Sequence, residues 1–154
     1  MEIHEILTAE AVVPHLKASS KKQALQELSK VAAELTDLDQ REIFDMLIER
    51  ERLGTTGVGE GIAIPHGKLN ALDRLHGVFA RASRAIDFDA IDDRPVDLVF
   101  LLLAPEAAGA DHLKALARVS RLLRDSRTCD KLRGCETRDA IYALLTQTES
   151  SDAA

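Results

Sequence analysis

A chain of 154 residues, 45% of them apolar, is long enough to bury a core as one compact domain without disulfides or a structural metal. The formal charge of −6, the 3% aromatic content and the absence of Trp exclude a phosphate-tracking basic surface and a base-stacking platform, so nucleic acid is not an expected partner. No apolar run can cross a bilayer, and the acidic opening Met1-Glu2-Ile3-His4-Glu5 is unlike a secretory signal; the expectation is a cytoplasmic protein with no membrane insertion. Cys129 and Cys135 have five residues between them, neither a CxxC pair nor a zinc half-site, and read as free structural thiols.

Residues 1 to 11 read as a short helical lead-in, and Val12-Val13-Pro14-His15-Leu16 as a brief strand whose proline suits a sheet edge. Ser20 stands three residues before Gln23 in capping-box spacing and opens a helix with Ala24, Leu25, Leu28, Ala32 and Leu35 on one face. Asp39 and Glu42 repeat that spacing ahead of the stripe Ile43, Met46, Leu47. The next position on the stripe is Arg50, which either snorkels to water at the helix end or aims at an anion. Gly54 ends this helix.

The stretch Gly57-Val-Gly-Glu-Gly-Ile-Ala-Ile-Pro-His-Gly-Lys68 follows. Ile62 to Ile64 form a short apolar run suited to a buried strand, Pro65 holds the preceding residue extended, and Gly67 is expected to leave one side of His66 open. After the polar turn Asn70 to Leu75, His76 to Ala82 alternates as a half-buried strand does, and Ile86 to Phe88 is a further extended piece. Val96 to Ala104 is almost continuously apolar, the pattern of a central strand covered on both faces. Asp111 is the expected cap of a helix that turns Leu113, Leu116, Ala117, Ser120 and Leu123 inward, with His112 in its first turn. A shorter helix over Ser126 to Arg133 stops at Gly134, and Thr137 caps the last, which buries Ile141, Leu144 and Leu145. These elements predict a single-domain α/β fold over residues 1–147, a sheet with helices on both faces, followed by a flexible tail at 148–154.

Several chemistries fail on spacing. The glycine cluster is neither GxGxxG nor a P-loop, since Leu69 stands where magnesium would need a hydroxyl. None of His4, His15, His66, His76 or His112 forms an HExxH pair, and no GxSxG elbow occurs. His66, between Pro65 and Gly67 at a strand end, remains as the candidate nucleophile.

Glu51, then six residues, Val58-Gly59, two more, and Ile62-Ala63-Ile64-Pro65-His66-Gly67 resemble the phosphorylation-site signature of mannitol/fructose-type enzyme IIA components of the phosphoenolpyruvate-dependent phosphotransferase system. Arg50 to Gly57, Phe88-Asp89-Ala90-Ile91-Asp92, Pro95 to Phe100 and Asp111-His112-Leu113 extend the resemblance, most closely toward the nitrogen-regulatory branch. The resemblance implies a mixed sheet flanked by helices, and a phosphoryl group accepted on His66 from an HPr-like phosphocarrier. It places Arg50 and His112 beside the acceptor ring, requires no cofactor, and suggests regulatory targets of the transporter or sensor-kinase kind. His112 would either donate to a phosphate oxygen or hold the tautomer of His66, and Thr55, Thr56 and Gly57 are candidates for a phosphate cradle. Two alternatives stand beside this: a IIA subunit of a fructose- or mannitol-type permease that passes phosphate to a IIB domain, and an interaction module with an inert His66.

Overall fold

The computed structural model describes the backbone of residues 1–153, with side chains through Gln147; the tail expected at 148–154 lies outside the fully described residues. The elements are β1 (Val12–Leu16), α1 (Lys21–Thr36), α2 (Gln40–Arg52), β2 (Gly57–Gly59), β3 (Ile62–Ala63), β4 (His66–Leu69), β5 (His76–Ile86), β6 (Val96–Pro105), α3 (Ala110–Arg124), α4 (Ser126–Arg133) and α5 (Arg138–Ala153). Two single 3-10 turns, Ile3–Glu5 and Ala9–Ala11, stand where a helical lead-in was expected.

One mixed sheet runs in the order β1-β5-β6-β3-β2, with β4 also paired to β6. The apolar run of β6 occupies its middle: Leu98 to Ala104 are all 0% exposed, so both faces of this strand are covered. Burying each large aliphatic side chain contributes about 1.5–3 kcal/mol, which makes β6 the axis of the core. The helices α1 and α2 pack together on the sheet through β5 and β4, while α3 and α4 pack on β6 and α5 on β1. Pro14 sits on the edge strand β1, where a missing amide hydrogen costs no ladder bond.

The strands β3 and β4 lie along the same side of β6 in one continuous parallel register, Ile62 opposite Leu98, Ala63 opposite Val99 and His66 opposite Leu102. They are one strand interrupted at Ile64-Pro65. The interruption keeps its place because the Pro65 carbonyl still accepts from the Leu102 amide at 2.9 Å. On the other edge, β2 pairs with β3 only, and the chain turns away toward α2 at Thr56, whose carbonyl accepts the Ile64 amide at 3.0 Å.

The caps follow the sequence with three shifts, of which the first is that Asp39 accepts from the Arg41 amide, at 3.1 Å, and not from that of Glu42. Ser20 accepts from the Gln23 amide at 3.1 Å as expected, but Gln23 returns its bond to the Ser19 amide, at 2.7 Å. The helix α3 begins at Ala110 with Gly109 as its N-cap and no side-chain cap, so Asp111 lies within the first turn instead of capping it. Its buried face is His112, Ala115, Val119, Leu122 and Leu123; Leu113, expected inward, is 68% exposed. On α1, Leu35 is likewise turned partly outward.

Gly67 does not leave the approach to His66 open, as its missing side chain suggested. A Cβ there would run into the thioether of Met46, which fills that space from α2. Gly67→Ala should therefore displace Met46 and cost about 1–3 kcal/mol in denaturant unfolding. Combined with Met46→Ala it should cost less than the sum of the two single changes, since both remove the same contact; additive costs would mean that the two residues do not share that space.

Candidate functional site

His66 is the first residue of β4, half-buried, just past the strand interruption. Its Nδ1 lies 2.8 Å from the Ile64 carbonyl oxygen. A carbonyl can only accept, so Nδ1 carries the proton and the lone pair is on Nε2. The acceptor is available for a topological reason. Amide and carbonyl of one strand residue point to the same edge; the Ile64 amide meets the carbonyl of Thr56, which lies opposite, while the Thr56 amide that would complete the pair donates to Glu51 and leaves the Ile64 carbonyl without a ladder partner.

Beside this ring lies His112, in the first turn of α3, with ring centroids 5.8 Å apart and planes tilted by 48°. His112 is 7% exposed, and its Nδ1 is buried with no hydrogen-bond partner among the described residues. Burial lowers its pKa below the ordinary histidine value, and the proximity of His66 and Lys68 lowers it further, so His112 favours the neutral form. The Ile64 carbonyl, not His112, holds the tautomer of His66.

The threonines expected to cradle phosphate are engaged elsewhere. The Glu51 carboxylate, with its side chain 6% exposed, accepts from the Thr56 amide at 3.2 Å and from the Thr56 hydroxyl, and it pairs with the Lys21 ammonium at 2.7 Å. A buried carboxylate needs this many partners, because leaving water costs it several kcal/mol. Lys21 also stands 5.3 Å over the ring of Phe88. Thr55 donates to the Phe88 carbonyl at 2.7 Å and accepts from the Gly57 amide at 3.0 Å. Thr55, Thr56 and Gly57 thus fasten the start of β2 to α1, α2 and the Phe88 segment. A Cβ on Gly57 would come within 2.9 Å of that of Ala90.

Arg50 sits in the last turn of α2, one turn beyond Met46 and hence on the face that covers β4. Its Nη1 donates to the Gly54 carbonyl at 2.9 Å at the helix end. The structure therefore brings His66 and His112 together directly, sets Arg50 on the adjoining helix end, and turns the threonines into scaffolding. Sequence reasoning missed the Ile64 carbonyl, for which no side chain signals, and the work of Glu51, visible only as a fixed position in the signature.

A model of the family described as "Phosphoenolpyruvate-dependent sugar phosphotransferase system, EIIA 2" matches residues 5–148. The chain belongs to this family. A nitrogen regulatory protein from Bradyrhizobium diazoefficiens is 59% identical over 145 residues, 94% of this chain and 95% of the relative. A fructose-specific EIIA component from Haloferax volcanii is 37% identical over 95% of this chain and 96% of its own. Among solved structures, nitrogen regulatory protein IIA-Ntr from Neisseria meningitidis superposes with a TM-score of 0.89 at 33% identity, covering 94% of this chain and 99% of that one. The protein is a phosphotransferase-system IIA of the mannitol/fructose type, most like its nitrogen-regulatory members.

In this enzyme IIA the lowered pKa of His112 ties stability to pH. The unfolded chain takes up a proton as pH falls through the ordinary value of 6.5, while folded His112 does not, so stability is complete above that value and is lost on acidification toward the folded pKa. Half-buried His76, also lowered, adds to the same trend. In unfolding titrations between about pH 8 and pH 5, His112→Asn should flatten the decline relative to wild type; an unchanged slope would remove His112 from the account.

Proposed function

We propose that the protein is a cytoplasmic phosphohistidine carrier and regulator of the nitrogen-related phosphotransferase branch. His66 accepts a phosphoryl group from an HPr-like phosphocarrier, and its phosphorylation state sets which target, such as a transporter or sensor kinase, the protein binds. The observation that carries this reading is the Nδ1 hydrogen bond to Ile64, which leaves Nε2 as the nucleophilic atom. In the transfer, the Nε2 lone pair forms the N–P bond as the donor's N–P bond breaks, and the donor nitrogen recovers its lone pair. The phosphorylated ring keeps its Nδ1 proton and becomes formally cationic, so the bond to the Ile64 carbonyl strengthens as the reaction proceeds.

Phosphoryl transfer places charge on the equatorial oxygens, and catalysis is mainly positioning plus positive potential. Neutral His112, its ring centroid 5.8 Å from that of the acceptor, is suited to donate a ring N–H to one of those oxygens. Arg50 supplies charge by leaving the Gly54 carbonyl for the phosphate, and Lys68 adds positive potential near the two rings. The second reading, a IIA subunit that passes phosphate to a sugar-specific IIB domain, is favoured by the 37% identity to a fructose-specific component.

Incubation with phosphoenolpyruvate, enzyme I and the phosphocarrier should add a single acid-labile phosphate, attached at Nε2 by nitrogen NMR. Incorporation into His66→Ala, or attachment at Nδ1, would overturn the assignment. Rapid onward transfer to a sugar-specific IIB would favour the permease reading. Arg50→Ala should slow phosphorylation by roughly a hundredfold, the usual cost of losing one positioned electrostatic group, while the thermal midpoint stays near that of the wild type. An undiminished rate would leave Arg50 as a helix-end cap alone.

A further inference from the structure

A cavity of about 710 Å³ opens between the β2–β3 hairpin and the corner of α3 and α4, within the size range of small-molecule sites. Its floor is apolar: Ile62, Ile64, Leu123 and Cys129 line it and are all buried. Its rim is charged, and almost every charge there has a partner. Arg133 is held by Asp97 at 2.8 and 3.1 Å, by the Glu60 carbonyl at 2.8 Å and by Asp130 at 3.6 Å. Arg94 lies 3.4 Å from the Glu60 carboxylate.

Arg124 is the exception. It lines the cavity from the last turn of α3, one turn beyond Ser120 on the same face, and has no hydrogen bond or ion pair among the described residues. Ser126, at the start of α4, brings a second hydroxyl to the rim. The acids of the rim, Glu60 and Asp130, are already matched by Arg94 and Arg133, which leaves the exposed Arg124 as a cavity-lining cation with no partner among the described residues. A guanidinium fork binds a carboxylate through two parallel hydrogen bonds.

We propose that this cavity binds a small organic carboxylate with an apolar body, and that its occupancy is transmitted to His66 through Ile64. The carboxylate meets Arg124 with the hydroxyl of Ser120 or Ser126, and the apolar body lies on Ile62, Ile64 and Leu123. Ile64 is shared between the two sites. Its side chain is floor of the cavity, and its carbonyl fixes the proton on His66 Nδ1. A ligand pressing on that side chain restrains or tilts the carbonyl, and with it the orientation of the acceptor ring. Binding stands on the cavity alone, whereas regulation of transfer rests on the phosphohistidine reading above.

The probe is isocaproate, with the neutral isocaproamide as its control, titrated into the unphosphorylated full chain and followed by amide NMR. Saturable shifts are expected at Ile62, Ile64, Leu123 and Cys129, with affinity about five- to tenfold weaker for the amide and for Arg124→Gln, as loss of one partly solvated charge-assisted pair predicts. Ser120→Leu, which intrudes on the space beside Arg124 and removes a hydroxyl, should weaken the binding that produces them. Absence of saturation, equal affinity for acid and amide, or shifts centred on His66 and His112 would overturn the site. The ring nitrogens of His66 should shift with the same binding curve, and unmoved ring nitrogens would overturn the coupling. A chain that binds isocaproate but takes no phosphate would sink the phosphohistidine reading and leave the cavity assignment standing.

Discussion

The hydrogen bond from His66 Nδ1 to the Ile64 carbonyl is the constraint on which the site depends, and it is a product of sheet topology. Because β3 and β4 hold one register on β6, the edge of Ile64 facing away from β6 is fixed by the strand. Because Thr56, just before β2, takes the Ile64 amide on its carbonyl but gives its own amide to Glu51, the Ile64 carbonyl has no ladder partner. A net hydrogen bond of about 1 kcal/mol is enough to favour one tautomer several-fold, and burial of the surroundings increases that preference. The register of β6, built from Leu98 to Ala104, therefore bears on which nitrogen of His66 keeps its lone pair.

The second ring is placed by a helix that buries one polar side chain among apolar ones. Two apolar stripes compete on α3: one through Leu113, Leu116 and Leu123, the other through Ala115, Val119 and Leu122. The second is buried, together with His112 and with Leu123 of the first. Turning Leu113 out to water forfeits part of the burial of an aliphatic side chain, about 1.5–3 kcal/mol, and leaving a histidine nitrogen buried without a partner costs a further 1–3 kcal/mol or so. Such losses concentrate where a fold is shaped for something other than stability. Gly109, with φ 54° and ψ −116°, lets α3 start abruptly and without a side-chain cap in front of that histidine.

Much of this was legible in the residues. The apolar run of β6, the caps Ser20 and Thr137, the stop of α4 at Gly134 and the position of His66 at a strand end follow from periodicity and local chemistry. The phase of α3 was not legible, since a histidine does not count as apolar in any stripe and Leu113 does. Nor was the role of Gly67, because the absence of a side chain looks the same whether space is left for a ligand or filled by a distant thioether such as that of Met46. Backbone groups carry no sequence signal at all, which hid the Ile64 carbonyl, and the spacing of Glu51 marked a position without its purpose.

That purpose explains how adjacent residues at the end of α2 divide their work. Glu51 turns inward and gathers Lys21 and Thr56, so its negative charge is neutralised within the scaffold. Threonine donors aimed at a phosphate would have left that carboxylate short of partners and close to a second anion, with repulsion added to desolvation. Arg50, one residue earlier on the helix, is turned to a different face and rests on an exposed carbonyl, a bond worth only about 1 kcal/mol. On the proposed reading, exchanging that acceptor for a phosphoryl oxygen gains a stronger charge-assisted bond at small cost. The carboxylate must stay fixed for the loop to hold its shape and the guanidinium must be free to move, and the helix end supplies both because neighbouring side chains leave it about 100° apart.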